Sequence, residues 1–184
     1  MAIKTFTTGE VLTAADTNTY LANSGLVLVK SQTVGSGVTS VTVSDAFSST
    51  YDNYRIIYSG GGGSTGLYLQ LQLGAVVTGY FGSLFGAAYA SGDFIGIGVN
   101  NGANFNYAGL ASTNYATMSV DLFGPNLAKS TNFSCNWTFN LGSTGYSIFM
   151  GEEAGQTQHT AFTMSTSVGY ITGGTITVYG YRKA

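Results

Sequence analysis

The chain has 184 residues, 44% of them hydrophobic and only 8% charged, with a formal net charge of −2. That length suits one domain with a sizeable core, while six Lys and Arg scattered along it form no basic stripe and speak against nucleic acid as a partner. A single cysteine excludes an intrachain disulfide framework, no stretch reaches the roughly 18 to 20 apolar residues of a membrane span, and the N-terminus lacks a signal peptide's apolar segment.

In chain order, the first 24 residues read differently from the rest. Phe6-Thr7-Thr8-Gly9-Glu10-Val11-Leu12 reads as an extended arm with apolar anchors at Phe6, Val11 and Leu12. Thr13 and Asp16 form a short capping box, in which the Thr13 hydroxyl accepts the Asp16 N–H and the Asp16 carboxylate returns to the N–H of Thr13. A helix is predicted from Ala14 through Tyr20 and Leu21, closing near Asn23 to Gly25. So short a helix is marginal in water and needs a surface to lie on.

The run from Phe6 to Leu21 resembles the N-terminal segment of many tailed-bacteriophage structural proteins, which carry Gly-Glu-x-Leu-Thr-Ala-x-Asp-x-Asn near the start. Here those positions are Gly9-Glu10-Val11-Leu12-Thr13-Ala14-Ala15-Asp16-Thr17-Asn18. The likeness is close over about a tenth of the chain and looser at Phe47 to Tyr54 and at Gly174 to Arg182. It implies a virion protein, made in the bacterial cytoplasm, that attaches to tail or capsid proteins through residues 1–24, with Phe6, Val11, Leu12, Tyr20 and Leu21 as buried anchors and Thr13 and Asp16 holding the helix start. It also implies a homotrimer of tail-fibre or spike type, with a capsid decoration or head fibre as the alternative.

After Gly25 the period becomes two. Strands are expected at Leu26 to Lys30, around Val38, Val41 and Val43, and at Tyr54 to Ser59. The run Gly60 to Gly66 is expected to be a hairpin loop; it fails as a phosphate cradle, since no Lys follows and no helix opens after it. Leu67-Tyr68-Leu69-Gln70-Leu71-Gln72-Leu73 is a half-buried strand with every Leu on one face. Tyr80 to Tyr107 mixes glycine with aromatics, and Asn101-Gly102 is a tight-hairpin signal. Strands resume at Tyr115 to Phe123, with Met118, Val120 and Leu122 on one face, and at Phe133, Cys135, Trp137, Phe139 and Leu141, alternating with polar residues. Tyr146 to Met150, Thr160 to Met164 and Thr175 to Tyr181 complete about ten strands with turn signals every 8 to 12 residues. The fold class is mainly β: an antiparallel β-sandwich of jelly-roll kind over residues 25–184, preceded by the arm and one short helix, with an up-and-down barrel as the structural alternative.

The inventory for chemistry is thin. His159 is the only histidine, no serine sits in a nucleophile elbow, and its expected role is an ordinary hydrogen bond in a loop or at a strand edge. Glu152 and Glu153, with Asp93 or Asp121, are the available glycosidase carboxylates, but adjacent strand residues point to opposite faces, and a solvated turn is the expectation for the pair. Calcium and zinc signatures are absent, so neither a cofactor nor an enzyme is expected. Cys135 is expected in the core. Tyr80, Tyr89 and Tyr107 offer faces for a host surface glycan, with loops at Gly60 to Gly66 and Ser91 to Asn106 as its receptor-binding alternative; core or subunit contacts are the simpler role for these rings.

Overall fold

Alternation in the sequence becomes alternation in burial. Leu67, Leu69, Leu71 and Leu73 are all buried, while Tyr68, Gln70 and Gln72 are half-buried. The computed structural model describes residues 7–11, 13–16, 25–140 and 144–183. Its elements are α1 (Ala14–Asp16), β1 (Leu26–Thr33), β2 (Ser40–Val43), β3 (Asn53–Ser59), β4 (Gly62–Gly63), β5 (Leu67–Leu73), β6 (Tyr80–Ala88), β7 (Phe94–Gly102), β8 (Phe105–Ser112), β9 (Tyr115–Phe123), β10 (Thr131–Asn140), β11 (Thr144–Glu153), β12 (Phe162–Thr166), β13 (Ile171–Thr172) and β14 (Thr175–Tyr181). The protein is mainly β, and its strand pairs are antiparallel.

β9 is the strand on which the pairing branches. Its stretch Met118 to Phe123 pairs β3, Val120 to Phe123 pairs β10, and Tyr115 to Thr117 pairs β8. From β3 the order continues to β14 and β1, from β10 to β11, β6 and β7, and from β8 to β5, β12 and β2. This is not an up-and-down order, since β1 lies beside β14 and β6 beside β11.

One hydrophobic core joins these runs. Met118, Val120 and Leu122 face it from β9, Phe133, Cys135 and Trp137 from β10, and the four leucines from β5. Phe105 stacks on Phe133 with centroids 4.3 Å apart, and Phe47 meets Phe162 at 5.7 Å and Tyr54 at 4.9 Å. Each large apolar side chain so buried contributes about 1.5–3 kcal/mol. Cys135 is buried as expected, its thiol 3.2 Å from the Tyr107 carbonyl oxygen, and burial pushes its pKa up.

Several local expectations change. The Gly60 to Gly66 run is not a hairpin loop, because β3 and β5 do not pair; it carries the chain between ladders and forms the β4–β13 ribbon on the way. Asn101-Gly102 does not turn β7 into β8. The register of β6 on β7 shifts between Tyr80 and Gly82, Asn101 takes a φ of 53°, and its Oδ1 accepts the Gly79 N–H at 2.9 Å. That is a bulge, which uses the same tolerance for left-handed backbone as a tight turn. Glu152 and Glu153 end β11 and do face opposite ways, but Glu153 is buried and not in a solvated turn. The arm is not extended throughout: Thr7 to Glu10 close a turn, with Glu10 N–H donating to Thr7 O at 3.0 Å. Of the expected helix, only Ala14–Asp16 is helical among the described residues, less than one turn, and residues 17–24 lie outside them.

Candidate functional site

The expected attachment residues divide in two. Val11 is 79% exposed, and Thr13 is exposed as well, while the Asp16 side chain lies outside what is described. Phe6, Leu12, Tyr20 and Leu21 lie outside the described residues. The Glu10 carboxylate accepts the Thr7 N–H at 3.1 Å and so fixes the turn before Val11.

The one histidine is buried against a carboxylate. His159 Nε2 lies 3.2 Å from Glu153 Oε2, and both side chains are 1% exposed. At that distance the ring nitrogen and the carboxyl oxygen share a hydrogen bond. Glu153 Oε1 accepts the Gly155 N–H at 2.7 Å, while the His159 backbone is held by Pro125 O at 2.8 Å and Asn126 Nδ2 at 2.7 Å. The pair therefore clips the end of β11 to the loops around Pro125 and His159. Both side chains are shut off from solvent. Asp121 is occupied elsewhere, accepting from Arg55 Nη2 and from the Tyr181 hydroxyl, each at 2.6 Å. Burial raises the Asp121 pKa, but the hydrogen bonds from Arg55 and Tyr181 and the guanidinium charge outweigh it and hold the carboxyl below its ordinary value. Among the described residues no cluster of three or more His, Cys, Asp or Glu could hold a metal ion, and no helix is long and apolar enough to cross a membrane.

The surface supplies a different kind of site. In β11 the residues Gly145, Ser147 and Phe149 are buried, so Tyr146, Ile148 and Met150 point outward. Register places Ile148 beside Phe85 and Phe85 beside Gly96, while Tyr146 neighbours Ala87 and Ala87 neighbours Phe94. The result is a continuous outer band. Phe85 stacks on Phe94 at 5.5 Å, Tyr89 on Tyr146 at 6.4 Å, and Phe94 and Met150 are 74% and 61% exposed. No Lys, Arg, Asp or Glu occurs in β6, β7 or β10, and the outward charge in β11 is Glu152 at its end. A contiguous apolar face of this kind on a protein surface marks an interaction site.

Two hollows meet at Phe139. A cleft of about 280 Å³ is lined by Tyr68, Leu84, Ile95, Leu110, Trp137 and Phe139. Across Phe139 an open groove has Tyr89 and Tyr115 beside the hydroxyls of Thr117, Thr138 and Thr144. Of the tyrosines offered for a glycan, Tyr80 is wholly buried, Tyr107 packs edge-on against Tyr68 and Phe149, and Tyr89 is exposed. The Gly60 to Gly66 segment is pinned through Ser64, which donates its N–H to Tyr170 O and accepts the Tyr170 N–H on Oγ. The outer band was not visible in the periodicity, because β6, β7 and β11 are apolar on both faces. The usable signal was the scarcity of charge between Tyr80 and Met150, where Asp93, Asp121 and Lys129 are the charged residues.

Comparison with family models, with curated proteins and with solved structures finds no match to this chain.

Proposed function

We propose that the protein is a structural subunit of a tailed-phage virion, a small tail-fibre or spike-type component that attaches through residues 1–24 and assembles with copies of itself. The observation that carries this reading is the uncharged apolar band across β11, β6 and β7, a surface suited to permanent contact with protein. The likeness of Gly9 to Asn18 to phage attachment segments supplies the setting. A trimer is the copy number that the likeness favours, and a capsid decoration or head-fibre role is the alternative within the same class. In this reading the domain is a sandwich: the β2, β12, β5 and β8 run lies over the β3, β9, β10 and β11 run, supported by Phe47 and Phe105 bridging strands that share no ladder.

Attachment is tested by T13A/D16A, which removes both capping groups. The expected result is a chain with unchanged far-ultraviolet dichroism and thermal midpoint but a lower copy number in purified virions. Wild-type copy number in the mutant virions would remove Thr13 and Asp16 from that role. The groove of Tyr89, Tyr115, Thr117, Thr138 and Thr144 favours one second reading, recognition of a neutral host glycan, since aromatic faces with flanking hydroxyls suit a sugar ring. Binding of host surface polysaccharide that is lost in Y89A/Y115A supports it, and no binding by the wild type excludes it.

A further inference from the structure

Among the described residues, three strands end the ladders of the twelve-stranded sheet, and two of them are blunted. β1 carries Lys30 and a register break between Leu28 and Lys30, and β2 has only four residues. Charge, irregularity and shortness are the devices by which sheet edges avoid pairing with other chains. β7 has none of them over most of its length. It runs nine residues, contains no charge and no proline, pairs only β6 among the described residues, and its bulge is confined to the Asn100 to Gly102 end. Phe94 to Val99 thus present a regular, unpaired edge.

Neither face of β7 is finished. Outward, Phe94 continues the apolar band, and Gly96 and Gly98 have no atom within 4 Å of the position a Cβ would take. Inward, Ile95 is 38% exposed although it lies on the core side, where it lines the cleft with Leu84, Trp137 and Phe139. Without charge, this edge cannot select a charged partner. It is, however, complementary to itself. Antiparallel pairing about a two-fold axis at Ile97 sets Ile95 opposite Val99 and Gly96 opposite Gly98, joining β-branched side chains on the core side. The flat glycines on the outside leave room for the Phe85 and Phe94 rings of both copies.

We infer that β7 is the edge through which two copies of this chain join their sheets, antiparallel and centred on Ile97. Backbone hydrogen bonds supply the pairing, and the outer bands of the two copies become one surface across the axis. The inference deepens the proposed structural role by naming an interface for self-assembly, and it is read in solution, where the virion setting has no influence.

The test uses the full-length chain in light scattering coupled to size exclusion, with wild type, G96K/G98K and G96K/G98E compared at one concentration. Both glycines face open space, so the fold tolerates all three, which circular dichroism verifies. The wild type is expected at an even multiple of the 19.1 kDa chain mass, which is six copies where the trimer of the proposed role pairs through β7. G96K/G98K places like charges opposite each other and is expected to halve that mass, whereas G96K/G98E places opposite charges together and retains it. A wild type at an odd multiple overturns the inference, as does G96K/G98K at the wild-type mass. Loss of assembly in both variants overturns the Ile97 register. Absence of the protein from virions would refute the proposed role while leaving these masses unchanged.

Discussion

The Tyr80 ring is fully buried, yet its hydroxyl accepts the Leu73 N–H at 2.8 Å and so satisfies a backbone donor that water cannot reach. Burial pushes its pKa up to about 12, against the lowering effect of the Leu73 hydrogen bond and with a further push from the Glu153 charge. A phenol whose folded value lies above its unfolded value of 10 contributes stability below pH 10 that is lost as pH rises toward 12. Y80F should therefore lose about 1–3 kcal/mol near neutrality, from the orphaned Leu73 N–H, and show a flatter alkaline limb in denaturant titrations. The opposite sign applies at Asp121. Its folded pKa lies below the ordinary 3.8, so its pairing with Arg55 and Tyr181 stabilises above about pH 4 and is lost as pH falls through the folded value. Because Arg55 is 36% exposed, solvent screens the pair, and D121N should cost only about 1 kcal/mol at neutral pH while weakening the acid dependence. Glu153 is the more expensive residue to lose. E153A removes the partner of the half-buried Gly155 N–H and of the buried His159 ring, with an expected loss of about 2–4 kcal/mol by urea unfolding.

At the scale of the element, glycine sets how closely strands approach. Gly109 in β8 sits where a Cβ would meet the Thr117 carbonyl oxygen and the Met118 side chain of β9. G109A should push the β8–β9 pairing apart and cost about 1–3 kcal/mol, seen as a lower thermal midpoint with faster amide exchange in both strands. Periodicity made β5, β9 and β14 legible to the residue, because each alternates cleanly against one core. It did not identify their partners. An alternating strand declares which face is buried, and nothing local declares which strand lies beside it, so the Gly60 to Gly66 run read as a hairpin although β3 pairs β14 and β9. Asn101 misled for a related reason, since a left-handed Asn before Gly serves a bulge as well as a turn. His159 was visible as a lone histidine. Its partner was not, because Glu153 gave no sign in sequence of being the inward member of the Glu152 and Glu153 pair.

The whole molecule combines few charges, an apolar outer band and an unprotected edge strand, features that a free monomer would carry as an aggregation hazard and that an assembled subunit uses as contacts. In the proposed role that assembly is a phage particle, and low charge is consistent with a surface that meets partners through backbone pairing and neutral hydrogen bonds. The most direct measurement is immunogold labelling of intact virions with antibody raised against residues 25–184. The account predicts gold at a discrete position on the tail, with labelling distributed over the capsid marking the decoration alternative. Purified virions that carry no label, from a culture in which the protein is expressed, would contradict a virion role altogether.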